Sequence, residues 1–221
     1  MLGWVLFDRI IAEVDGGETI NPWRRGGPNG MLEYQPDYAT LCRLLAVPLA
    51  LDADSTTGVP ALALDVWTAY ELRRAGFDED AVWPRCVVPR ILPATLAQLL
   101  RSGTRAEKKA INDIVRSGKT YGGVISASAN ILGKNYVKRV DVVISAWNTG
   151  PELLISTKRM DSSIGNNAVN RVEESYGDAN NLRSRYPQAA LGFVLRASLH
   201  RVRQDRAEGA LVDRPVGKAR S

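Results

Sequence analysis

Val140-Asp-Val-Val-Ile144 and Leu153-Leu-Ile-Ser-Thr-Lys158 are the stretches whose reading decides the fold. Each is a short run rich in β-branched and aliphatic residues, and the turn-forming Asn148-Thr-Gly-Pro151 lies between them, so they read as two antiparallel strands. Alternate side chains of a strand share a face, which sets Ser156 and Lys158 on one side of the second strand. Paired through that turn, Asp141 falls on the same side. A carboxylate and a lysine among apolar strand residues need a reason, because lone buried charges are costly and are normally paired or bound to a metal. A salt bridge within the sheet is one reason; a reactive site is the other.

Outward from this hairpin the pattern continues on both sides. Upstream, Tyr136 to Ile144 reads as one strand carrying Val137, Arg139, Asp141 and Val143 on one face, and Val124-Ile-Ser-Ala-Ser128 is a weaker candidate for the first strand. Before it, Thr104-Arg-Ala-Glu107 has the spacing of a capping box that opens a helix. Glu107 has two readings there: the cap itself, or a carboxylate pointing along the buried face that Ala110, Ile111 and Ile114 define. Downstream, a helix is predicted from about Gly165 to Arg185. Its apolar stripe is Ala168, Val172, Ala179 and Leu182; its polar stripe is Asn167, Arg171, Glu174, Asp178, Asn181 and Arg185. Such a stripe is ordinarily a wet face. This one mixes guanidiniums with asparagines, which are poor helix formers, and amide and arginine groups are what contact phosphates and base edges. Pro187 ends the helix, and Ala189 to Leu195 is a continuous apolar run, as expected for a strand covered on both faces.

Asp141, Ser156-Thr-Lys158 and the following Gly165-Asn-Asn167, Asn170-Arg171, Glu173-Glu174, Gly177-Asp178, Asn181-Leu-Arg183 and Arg185-Tyr-Pro187 resemble the PD-(D/E)xK superfamily, and in particular a group of bacterial restriction-endonuclease-like proteins. The resemblance covers roughly residues 104 to 197 and departs at Ser156, where the family usually has Glu or Asp. It implies an α/β (α+β) fold with a restriction-endonuclease-like αβββαβ core at 102–203. Ahead of the core lies a mostly helical region at 1–101, for recognition or dimerisation; after it comes a tail at 204–221 whose charge, Gly and Pro content reads as disorder. The activity implied is Mg2+-dependent hydrolysis of phosphodiester bonds in double-stranded DNA, with Mn2+ able to substitute, of the type II restriction kind used in defence against foreign DNA. The implied catalytic residues are Asp141, Ser156, Lys158 and Glu107. Asp141, Glu107 and the backbone carbonyl of Thr157 would ligate the metal, and Asn167, Asn170, Arg171, Asn181, Arg183 and Arg185 would face DNA. Restriction-like nucleases often act as homodimers so that two active sites reach both strands; nothing in the sequence marks a dimer surface.

Composition narrows the chemistry. The chain has 221 residues, 45% of them hydrophobic and 24% charged, which is ordinary globular usage with room for a substantial core. A net charge of +5 and a pI near 9.4 lean toward a polyanionic partner. Cys42 and Cys86 are too few for a disulfide framework or a four-cysteine zinc site, and with no apolar run of membrane-spanning length and a poor signal peptide the chain reads as cytoplasmic. His200 is the single histidine, so hydrolytic chemistry must run on carboxylates, lysine and a hard metal ion.

The first hundred residues show helices over 2–14, from Asp37 to Pro48, and from Pro60 to Gly76, then a short one from Ala94 to Leu100. Asn21 to Tyr34 reads as a loop. Set against the nuclease is a non-catalytic DNA-binding or complex-forming protein with a degenerate nuclease fold, which the neutral Ser156 allows.

Overall fold

The computed structural model describes residues 2–16, 21–26, 30–116, 129–160 and 164–197. The weak strand at Val124–Ser128 and the tail from Gln204 lie outside the described residues.

Three helices form the first layer. In α1 (Leu2–Asp15), Phe7 and Ile11 recur one turn apart and are buried, and they meet Leu44 and Val47 of α2 (Tyr38–Ala50). Asp37 caps α2 as predicted, its carboxylate accepting from the Thr40 N–H at 2.9 Å. Pro48 does not end the helix. It sits in the last turn, where its missing N–H removes a single bond, and the helix closes at Leu51, whose N–H reaches the Val47 carbonyl at 3.0 Å. The segment predicted as a loop contains a hairpin, β1 (Trp23–Arg25) against β2 (Leu32–Tyr34). It is fastened to α3 (Val59–Arg74) by the Tyr34 hydroxyl on the Glu71 carbonyl, 2.8 Å, and by the Trp23 indole on the Ala75 carbonyl, 3.3 Å.

α3 is the middle of the molecule. Val59, Ala63, Val66 and Tyr70 face α1 and α2, while Ala69 and Leu72 face the sheet. Covered on both sides, it has no clean polar stripe, and Asp65, Thr68 and Glu71 are buried along with its apolar residues.

The central sheet has the strand order β3 (Val82–Trp83), β6 (Val142–Ala146), β7 (Gly150–Met160), β8 (Ala190–Ala197). The first three run antiparallel in turn, and β8 is parallel to β7. A parallel pair needs a crossover, and α6 (Ile164–Arg183) supplies it. Between β3 and β6 the chain forms α4 (Ala94–Ser102), α5 (Arg105–Arg116) and a separate hairpin, β4 (Asn130–Leu132) with β5 (Val137–Arg139). The architecture is therefore mixed α and β. Among the described residues no helix is long and apolar enough to cross a membrane.

Two expectations about this half change. The strand predicted from Tyr136 to Ile144 is two strands, because the chain leaves β5 at Val140, whose N–H turns to the Ala129 carbonyl (2.9 Å), and rejoins a different sheet at Val142. The boundary expected near residue 101 does not separate two packing units: β3 and α3 come from the first hundred residues, yet one pairs with β6 and the other covers the sheet.

Register fixes the faces. Val142 opposite Ile155 and Ile144 opposite Leu153 lie toward α3, and Val143 opposite Leu154 lies toward α6, where Leu182 meets them. Thr157 thus points to the α3 side, and Ser156 and Lys158 point to the α6 side.

Candidate functional site

The acid and the lysine that the sequence singles out do come close, and a second acid joins them. Asp141 stands in the break between β5 and β6, where its carboxylate is free of strand pairing and accepts the Thr157 N–H at 2.9 Å. From α3, Asp65 receives the Thr157 hydroxyl. Thr157 therefore touches both carboxylates, one through its backbone and one through its side chain. Its carbonyl was the expected contributor; its N–H and hydroxyl are the groups engaged here.

The electrostatics of the pair follow from burial. Asp65 is only 8% exposed, and loss of hydration together with the charge of Asp141 pushes its pKa up to about 7, against the lowering pull of Thr157 and Arg139. Burial also raises Asp141, partly offset by the Thr157 N–H and by the positive charges of Lys158, Arg139 and Lys138. Two carboxylates crowded out of water attract a cation or hold a proton.

Lys158 lies next along β7, half-buried, within electrostatic reach of Asp141 but ion-paired with Glu174 of α6 at 2.8 Å. Glu174 is held in turn by Arg171 at 2.7 Å, and Lys158 chiefly keeps its carboxyl below the usual range. A salt bridge between Asp141 and Lys158 is thus not what the strands were shaped to make. Glu174 reaches Lys158 from the helix, on the face of the sheet that Ser156 and Lys158 share. Ser156 itself opens onto a cavity between α6 and the sheet, beside Leu154 and Asp178.

Glu107 does not join this group. α5 packs on α4, while α3 is the helix laid on the sheet, and Glu107 is exposed, closing the capping box with Thr104: Thr104 N–H to Glu107 Oε2 2.7 Å, and Glu107 N–H to Thr104 Oγ1 3.4 Å. The local role wins because both partners lie within one turn. The helix carboxylate that lies beside Asp141 is Asp65 of α3. Its sequence signal is an acid inside the otherwise apolar Ala61-Leu-Ala-Leu-Asp-Val-Trp67.

The polar stripe of α6 divides. Asn181 is only 1% exposed, and its amide is consumed by the β4–β5 turn: Oδ1 accepts Asn135 N–H at 2.8 Å and Nδ2 donates to the Tyr136 carbonyl at 3.1 Å. Asn181 is an interior bracket, not a DNA-facing residue. Gly133 is what lets it in, since a Cβ there would lie 2.1 Å from Nδ2. Asp178 is buried beside it, accepting from the Tyr136 hydroxyl at 3.0 Å and pairing with Lys138 at 2.5 Å. Asn170, Arg183 and Arg185 are exposed, Arg185 over the Tyr186 ring at 5.9 Å, and Arg171 is half-buried in its pair with Glu174. The side chain of Asn167 lies outside the described residues.

Among the described residues no group of three or more His, Cys, Asp or Glu side chains is placed to hold a metal ion. The acid pair is two. No protein-family model, curated protein or solved structure matches this chain.

Proposed function

We propose that this chain is a metal-dependent endonuclease acting on DNA phosphodiester bonds. One observation carries the reading: Asp65 from α3 and Asp141 from the start of β6 converge on Thr157 of β7, with Lys158 next in the strand. The order of elements supports it: α3 and the antiparallel β3, β6 and β7 are followed by the crossover helix α6 and by β8 parallel to β7, with α4, α5 and the β4–β5 hairpin set between β3 and β6.

The residues fit a hard divalent cation. Mg2+ takes oxygen ligands, keeps several waters and is commonly bound by one or two carboxylates together with substrate phosphate, so two buried acids suffice without a third. Asp65, Asp141 and the Thr157 carbonyl would hold Mg2+, or Mn2+ in its place, which supplies Lewis-acid polarisation of the scissile phosphate and a more acidic water. Thr157 keeps both carboxylates oriented. Lys158, whose ammonium has three donors and gives one to Glu174, orients the attacking water and balances the charge that grows on the phosphoryl oxygens. Exposed Arg183 and Arg185 at the end of α6 contribute phosphate contacts, and their share of affinity falls with salt. Defence against foreign DNA, in the manner of a restriction enzyme, goes with this reading.

A non-catalytic DNA-binding protein is the second reading, favoured by the neutral Ser156 and by the engagement of Lys158 with Glu174. Incubating supercoiled plasmid with Mg2+, Mn2+ or EDTA, wild type beside Lys158→Ala, separates the two. Metal-dependent nicking that vanishes in the variant supports the nuclease; binding without cleavage by either protein supports the alternative.

A further inference from the structure

The β4–β5 hairpin stands apart from the central sheet as a two-stranded ribbon. It is fastened to α6 through the Asn181 amide and the Asp178 carboxylate, and also by the Lys134 N–H, which donates to the Asn181 carbonyl at 3.0 Å. Its turn closes on itself, Gly133 N–H to the Tyr136 carbonyl at 2.9 Å. Register sorts its side chains. Ile131 opposite Lys138 turns inward, Ile131 to the core beside Leu182 and Lys138 to Asp178. Asn130 opposite Arg139 and Leu132 opposite Val137 therefore turn outward. All four are exposed, as are Lys134 and Asn135 at the tip. A ribbon held this firmly has little order left to lose on binding.

The outward face has a definite chemistry. Residues 129–140 hold three cations and no acid. Among the polar groups, Leu132 and Val137 are 48% and 59% exposed. The major groove of B-DNA, ~12 Å wide, admits a two-stranded ribbon whose strands lie ~4.8 Å apart, whereas the undeformed minor groove is ~6 Å wide. In the major groove, amides pair with base edges and aliphatic groups meet the thymine methyl, while cations along the rim contact phosphates.

The ribbon is also tied to the acid pair. β5 runs through Val140 directly into Asp141, and the Arg139 guanidinium pulls both Asp141 and Asp65 downward against the effect of burial. A duplex held along the ribbon has its backbone next to those carboxylates.

We infer that the β4–β5 ribbon enters the major groove of double-stranded DNA, with Lys134 and Arg139 on phosphates and with Asn130, Leu132, Asn135 and Val137 on base edges; the inference rests on the DNA reading given above.

The test measures duplex affinity of the full chain by fluorescence anisotropy at fixed salt, with Ca2+ in place of Mg2+. Lys134→Glu and Val137→Asp, both at exposed positions, should weaken binding by about tenfold or more. Arg9→Glu makes the same charge change as Lys134→Glu on the exposed side of α1, and should weaken it by less than about threefold. A duplex whose cytosines carry glucosylated hydroxymethyl groups has its major groove filled, and wild type should bind it about as weakly as Val137→Asp binds the ordinary duplex. Distamycin, which fills the minor groove, should leave binding unchanged. Equal losses in Lys134→Glu and Arg9→Glu, full affinity for the glucosylated duplex, or displacement by distamycin overturns the inference and leaves the nuclease reading standing. Where circular dichroism shows Val137→Asp unfolded, Lys134→Glu against Arg9→Glu decides. A wild type that binds no duplex overturns the DNA reading, and the inference with it.

Discussion

Replacing Asp65 by asparagine should change how stability responds to pH. In the folded chain Asp65 keeps its proton to about pH 7, and in the unfolded chain it ionises near 3.8. Between those values the unfolded state binds fewer protons than the folded state, so stability falls as pH rises and the fall is complete above about pH 7. At 1.36 kcal/mol per pKa unit the displacement amounts to about 4 kcal/mol. Asp65 is almost wholly buried, so solvent screening does little to reduce it. The Asp141 shift has the same direction and acts in the same sense. Asparagine keeps an oxygen for the Thr157 hydroxyl and carries no charge. Urea unfolding of wild type and Asp65→Asn at about pH 4, 6 and 8 should give near-equal stability at the acid end and a variant that is more stable, by up to about 4 kcal/mol, at the alkaline end. A constant gap across the series, or a variant weaker than wild type at the alkaline end, would refute the account of a strained acid pair. Stability given up at neutral pH is what a site waiting for a cation would show.

Other expectations follow from the same contacts. Lys158→Ala should lower the cleavage rate by about a hundredfold or more, as loss of a positioned proton-handling or charge-stabilising group does, with DNA affinity little changed in a filter-binding assay. Asn181→Ala should cost about 2 to 4 kcal/mol in chemical denaturation, because it strands the Asn135 N–H and the Tyr136 carbonyl; a stable variant with weakened DNA binding would restore it as a recognition residue. Gly133→Ala should be damaging for the same reason, since the added carbon meets the Asn181 amide. Glu107→Gln should leave metal-dependent cleavage unchanged while its circular dichroism shows a more frayed α5.

How much of this was legible depended on whether a residue's role was local. The β6–β7 hairpin, the crossover helix and β8 show in the sequence because β-branched runs, a turn and a proline-terminated helix are local signals. Asp141 and Lys158 follow from them, since the hairpin's register fixes which side chains are neighbours. Asp65 does not. Its helix is covered on two sides, so the usual contrast between an apolar and a polar stripe is missing, and an acid inside an apolar run signals a buried charge without showing which strand it meets. The break at Val140–Asp141 is hidden for a related reason: the residues alternate evenly through it, and only the distant Ala129 carbonyl and Thr157 N–H pull the chain out of line. Asn181 sits at a position that helical periodicity assigns to the wet face. A loop some forty-five residues upstream, folded over it, decides otherwise. Glu107 had two readings that periodicity alone could not separate; the capping box prevailed.

The most direct test of the proposed site is Mn2+ binding measured by calorimetry on wild type, Asp65→Asn, Asp141→Asn and Glu107→Gln. One bound ion in wild type, lost in both aspartate variants and retained in Glu107→Gln, is the predicted result. Binding that survives in Asp65→Asn but disappears in Glu107→Gln would contradict the assignment of α3 as the helix that completes the site.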